Sequence, residues 1–230
     1  GKVLVTKRPS TVRSPEVGVL DAFDGSGIAP DEVCHLVLGT TIATNARLQG
    51  TGARVLYIAT EGFQDIPLIG SISRPYAYDL SWKRPDPGVS RRDCFGVRER
   101  IDYQGRIIKP LDKSEIERVL KVVEEAVDPD CSVAVNFLFS YLYPSHEIAF
   151  GKALRERFPD VPVSLSHEVA PIWREYPRAT TTILAASVRP ILQGFITDLE
   201  QELKKRSLGA PLAIMKSNGG QMLSESASNR

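Results

Sequence analysis

Residues 38–46 read LGTTIATNA, leaving the apolar run VCHLVL through a glycine. Three threonines and an asparagine then crowd into a stretch patterned like the start of a helix. Thr and Asn side chains compete for nearby backbone groups and weaken a helix interior, so helix stability does not explain them. Their chemistry does: hydroxyls and an amide stand where the free N–H groups and dipole of a helix N-terminus suit an anion or a polarised carbonyl. Gly39, Thr40 and Thr41 occupy the junction, and Asn45, four residues past Thr41, shares its helix face. The same residues also fit a plain reading, with Thr40 or Thr41 as an N-cap and Asn45 as a solvated position.

Three more places follow apolar runs. IMKSNGGQM sets Ser217, Asn218, Gly219 and Gly220 directly after a strand pattern. Paired glycines let backbone approach a ligand, although Asn-Gly is equally a tight-turn dipeptide. LSHEV puts His167 and Glu168 after another strand, a pair suited to acid–base work or to a polar loop. REYPRATTT brings Arg178 to the start of a long helix. With three histidines in the chain, no metal cluster is expected. DGSG at residues 24–27 joins a helix to the next strand, at the wrong end of a sheet for a phosphate loop, and reads as a helix-ending turn. Neither GxxxxGK[ST] nor GxGxxG occurs.

Positioning these residues at strand ends requires a sheet. The run KVLVT, then a helix at SPEVGVLDAF with Ser14 as N-cap and Pro15 at the first helical position, opens a strand–helix alternation. VCHLVL into TTIATNARLQG and ARVLYIAT into EGFQDIPLIG continue it. Pro75, Pro85, Pro87 and Pro110 interrupt the pattern over residues 71–110, where FGVRERIDYQGRII reads as a hairpin about Gln104 and Gly105. Alternation resumes with a helix after a Ser114/Glu117 capping box, its Ile116, Val119, Leu120 and Val123 on one face. A strand at SVAVNFLF, a helix over residues 145–158, a strand at VPVSLS, a long helix that Pro190 should kink or divide, and a strand at PLAIM complete the chain. The expectation is an α/β fold, a parallel or mixed sheet with helices on both faces and an inserted β-hairpin, in segments 1–70, 71–110 and 111–230. In such sheets ligands collect beyond the carboxyl ends of the strands.

Composition narrows the classes of function. Twenty-nine Lys and Arg nearly cancel 28 Asp and Glu, so no global field draws the chain to nucleic acid or a membrane surface. Three scattered cysteines without CxxC fit a reducing, cytoplasmic setting.

Read in collinear order, LGTTIATNARLQGTGARVLYIATEGFQDI, RPYAYDLSW, ERIDYQGRIIKPLD, SVAVNFLFSYLYPSHE, SLSHEVAPIWREYPRATTTILAASVRP and PLAIMKSNGGQM resemble the hydantoinase A family, from residue 39 to 222. That family includes 5-oxoprolinases, N-methylhydantoinases and subunits of acetone and acetophenone carboxylases. The resemblance implies an actin-like ATPase (ribonuclease H-like) fold. It implies that ATP, with Mg, phosphorylates a carbonyl oxygen so that a cyclic amide or imide can be opened by water. It also implies a hydantoinase B-type partner subunit or domain and leaves room for a homo-oligomer. Family members carry glycine-rich phosphate loops that this sequence lacks, so the chain is expected to be an incomplete piece, inactive alone. On this reading Thr41, Asn45 and His167 are the catalytic candidates. Gly39, Thr40, Glu168, Arg178, Ser217, Asn218, Gly219 and Gly220 are the substrate-binding ones. A ketone carboxylase subunit and a non-catalytic partner-binding module are the alternatives.

Overall fold

The run RVLYIAT is apolar at every position but its ends, as befits a strand covered on both faces. In a computed structural model that describes residues 1–11, 14–71, 78–216 and 218–224, it is the centre of a sheet. In chain order the elements are α1 (Pro15–Asp24), β1 (Leu36–Leu38), α2 (Ile42–Gln49), β2 (Arg54–Thr60), α3 (Ile66–Ile69), β3 (Cys94–Val97), β4 (Arg100–Ile101) and β5 (Ile107–Lys109). Then come α4 (Lys113–Ala126), β6 (Cys131–Asn136), α5 (Ser145–Arg157), β7 (Val163–Leu165), α6 (Ser166–Val169), α7 (Glu175–Lys205), β8 (Leu212–Met215) and β9 (Gln221–Leu223). They divide between two compact units, residues 51–190 and residues 1–50 with the described part of 191–230.

In the 51–190 unit all pairings of the main sheet are parallel, in the order β3-β2-β6-β7. Leu56 and Ile58 of β2 pack with Val119, Leu120 and Val123 of α4 and with Phe150 and Leu154 of α5. Val55, Tyr57 and Ala59 face the other way, against Ala179, Ile183 and Ala186 of α7. Helices thus cover both faces. Burying each large side chain contributes about 2 kcal/mol, which is why the polar residues Arg54 and Thr60 stand only at the two ends of β2.

In the other unit β1 and β8 run parallel and β9 returns antiparallel beside β8. Leu20 of α1, Phe195, Ile196, Leu199 and Leu203 of α7, and Leu212 and Ile214 of β8 form its core. Among the described residues no helix is long and apolar enough to cross a membrane.

Several expectations need correction. KVLVT is not a strand: residues 1–11 form no regular element, and Val3 and Val5 are more than four-fifths exposed. Alternation alone does not make a strand without a neighbour to take its backbone hydrogen bonds. EGFQDIPLIG yields only the single turn of α3, with Gly62 at φ +88° before it and Gly70 at φ +71° ending it. Residues 71–110 are not wholly an excursion. Cys94–Val97 joins the sheet as β3, and only β4 and β5 form the hairpin, with Gly105 at φ +80°. The cap of α4 is Asp112, whose carboxylate accepts from Glu115 N at 2.8 Å, rather than Ser114. Pro190 does not divide α7, which runs from Glu175 to Lys205 with one intrahelical donor removed at Pro190, where the boundary between the units falls. The units therefore cut the chain differently from the segments 1–70, 71–110 and 111–230.

Candidate functional site

Two strand edges carry the polar residues, one in each unit. In the first, Leu38 is in register with Ile214, so β1 ends one residue before β8. Gly39, Thr40 and Thr41 leave that edge into α2, and Lys216, Asn218, Gly219 and Gly220 leave it into the turn before β9. Thr40 Oγ1 accepts from Ile42 N at 3.2 Å, satisfying one free donor of the helix N-terminus. Thr41 is at the N-cap position without a side-chain cap bond. Its hydroxyl instead accepts from Asn45 Nδ2 at 3.4 Å, and both residues are exposed. The glycines serve a tight turn: Gly219 adopts φ +82°, Lys216 N donates to Gly220 O at 2.7 Å, and Asn218 Oδ1 accepts from Gly220 N at 3.0 Å. Ser217 lies outside the described residues, as does Pro75 of the proline-rich stretch.

The second edge, in the 51–190 unit, is more heavily built. Thr60 ends β2, Asn136 ends β6 and Leu165 ends β7. Glu147, in the first turn of α5 where the helix dipole favours negative charge, reaches back to both of the latter strand ends. Its Oε2 accepts from Phe137 N at 2.9 Å and Ser166 Oγ at 2.9 Å, and its Oε1 accepts from His167 N at 2.9 Å. His167 Nδ1 lies 2.8 Å from the same Oε1. A parallel arrangement stands beside it: Glu99 accepts from the Thr60 hydroxyl and meets His146 Nδ1 at 2.7 Å, while Thr60 Oγ1 accepts from Leu138 N at 3.0 Å. Both carboxylates have no exposed side-chain surface, whereas the imidazoles of His146 and His167 keep 10% and 14%. An ionised carboxylate only accepts, so each Nδ1 is the donor of its pair.

Arg178 closes the network. Its Nη1 donates to Ser140 Oγ and, at 3.1 Å, to Ser166 Oγ, and the two hydroxyls are 3.0 Å apart. Burial pulls the guanidinium down from its ordinary pKa, opposed by the charges of Glu147 and Glu175. Burial likewise pushes the Tyr57 phenol up, against the hydrogen bond that Asn136 Nδ2 donates to it at 3.0 Å.

The structure therefore brings Gly39, Thr40, Thr41, Asn45, Asn218, Gly219 and Gly220 to one edge, and His167 and Arg178 to the other. Glu168 is not the partner of His167: it pairs with Arg155 at 3.1 Å. Thr60, Glu99, Ser140, His146, Glu147 and Ser166 were not among the sequence candidates. One signal was available, the triplet Ser-His-Glu occurring twice, at residues 145–147 and 166–168.

With this geometry in place, comparison with known proteins is direct. The profile of the Hydantoinase/oxoprolinase N-terminal region matches residues 1–158. The chain belongs to the hydantoinase/oxoprolinase family. Among its relatives, the alpha subunit of caprolactamase from Pseudomonas jessenii is 30% identical over 230 residues, 96% of this chain and 33% of that protein. The crystal structure of ATP-dependent caprolactamase from Pseudomonas jessenii matches with a TM-score of 0.76 at 30% identity, covering 96% of this chain and 33% of that one. Acetone carboxylase, in its nucleotide-free structure, shares the fold with a TM-score of 0.82 at 21% identity, over 96% of this chain and 34% of that one. This hydantoinase/oxoprolinase region thus spans about a third of the length of these relatives.

Proposed function

We propose that this chain is part of the ATP-dependent subunit of an enzyme that activates a cyclic amide or imide carbonyl and opens the ring with water. The observation that carries the reading is the 30% identity to a caprolactamase subunit along 96% of the chain. When bound, ATP supplies the phosphoryl group that turns a carbonyl oxygen into a leaving group. An actin-like ATPase fold, a hydantoinase B-type partner and a cytoplasmic setting belong to the same reading.

The Thr40 and Thr41 hydroxyls, the Asn45 amide and the remaining free N–H groups of α2 form a donor set that fits a carbonyl or phosphoryl oxygen. Gly39, Asn218, Gly219 and Gly220 are assigned to substrate contact there. The edge does not fit Mg2+ in the same way, since residues 36–45 and 212–223 contain no carboxylate. His167, oriented by Glu147, is assigned to moving a proton at Nε2. Glu168 is assigned to substrate contact from the neighbouring position, at the cost of its pairing with Arg155.

The test is to supply the full-length protein and its partner subunit with ATP and, in turn, hydantoins, oxoproline and caprolactam. Ring opening matched by ADP release is expected. Bicarbonate-dependent carboxylation of a ketone in place of ring opening would assign the carboxylase alternative. No ATP consumption with any of these substrates would overturn both.

A further inference from the structure

Arg178 has no exposed surface and is the largest wholly buried side chain among the described residues. Charge in such a place is expensive unless it is paired and its donors are used. Only one of its three nitrogens is: Nη1 meets the neutral hydroxyls of Ser140 and Ser166. Nε and Nη2 are buried and without a hydrogen-bond partner. No carboxylate makes a direct ion pair with it among the described residues. Glu147 contributes charge at one remove, through the Ser166 hydroxyl that both groups share.

The identity of the two unused nitrogens matters. Nε–H and one N–H of Nη2 project in parallel from the same edge of the planar guanidinium, and this is the edge that takes two oxygens of one carboxylate or phosphate at once. A purely structural arginine holding α7 to the strand ends needs only the Nη1 bonds already made. The Tyr141 ring lies 5.4 Å from Cζ, and the guanidinium has no exposed surface. These surroundings exclude water and strengthen an electrostatic contact.

We propose that the Nε/Nη2 edge of Arg178 is an oxyanion-binding site for a carboxylate or phosphate group presented in bidentate fashion. Only the identity of the molecule that carries the anion rests on the function proposed above: a phosphoryl group of the nucleotide, or a carboxylate on the small substrate. The site itself stands on the geometry.

The full chain labelled with 15N-arginine reports directly on Arg178 Nε–Hε, assigned by triple-resonance spectra and by its absence in Arg178→Lys. Inorganic phosphate and acetate are titrated separately, with chloride at matched ionic strength as the control. A saturable shift of the Arg178 signal with phosphate supports the site and a phosphoryl source. A saturable shift with acetate supports the site and a carboxylate source. No shift beyond that in chloride would overturn the proposal and leave Arg178 a structural residue. Because wild-type protein carries the measurement, a Lys variant that fails to fold does not affect it. Because no turnover is measured, failure of the enzymatic reading is seen separately.

Discussion

His167 is held twice by one carboxylate: Glu147 Oε1 lies 2.9 Å from its backbone N and 2.8 Å from its Nδ1, across 20 positions of sequence. The other oxygen of Glu147 is equally occupied, by Phe137 N and Ser166 Oγ, so the group joins the ends of β6 and β7 to the start of α5. Glu147→Gln should therefore cost stability as well as orientation. It substitutes an NH2 donor for an oxygen that faces only donors, a buried mismatch worth about 2–3 kcal/mol. Urea unfolding of the two proteins measures it. A difference below about 0.5 kcal/mol, the range of surface changes, would mean the contacts carry no energy.

Thr41 and Asn45 should behave in the opposite way. Both are exposed, and their side chains meet in a long 3.4 Å contact, while the 2.8 Å backbone bond from Asn45 N to Thr41 O survives either change, so Thr41→Val and Asn45→Ala should shift stability by about 0.5 kcal/mol or less. If they face a reacting oxygen, turnover of the full-length enzyme should fall roughly ten-fold or more. Thermal melting and ATP-dependent ring opening on the same samples separate the two effects, and unchanged turnover in both variants would reduce the stretch to a helix start.

Acid should loosen the start of α4 through Glu115. Bidentate hydrogen bonds from Arg118, at 2.6 and 2.8 Å, hold its pKa below the ordinary value, with burial opposing and a bond from Arg98 N assisting. A folded pKa below the unfolded one stabilises the protein fully above the unfolded value, about 4.3, and the contribution is lost as pH falls through the folded value. Wild-type stability should thus drop more steeply than that of Glu115→Gln between roughly pH 5 and 3. Parallel slopes in denaturation at a series of pH values would exclude this contribution.

Gly105 should not accept a side chain. It sits at φ +80°, and a Cβ there would lie 2.6 Å from a ring carbon of Tyr143. Gly105→Ala should destabilise by about 1–2 kcal/mol, combining left-handed strain with displacement of the ring. Calorimetry would show it as a lowered midpoint, and an unchanged midpoint would mean that the turn of the β4–β5 hairpin relaxes freely.

The sequence by itself determined the alternation of strands and helices, because period and turn chemistry are local: RVLYIAT, SVAVN and the Ile116, Val119, Leu120, Val123 face are read without knowing their neighbours, although the strand expected to run on through FLF ends at Asn136. It also determined the α2 edge, since Thr41 and Asn45 are four residues apart on one helix and their relationship follows from helix geometry. Only the tertiary structure decided which strands pair, which is why KVLVT alternates yet forms no strand while Cys94–Val97, set among prolines and arginines, joins the sheet. It alone decided the second edge as well. Glu99 meets His146 across 47 residues, His167 takes Glu147 rather than its neighbour Glu168, and Arg178 reaches Ser140 across 38. Such pairings depend on parallel strands ending side by side, a register set by side chains packing on both faces of the sheet, and no local pattern in the chain encodes them.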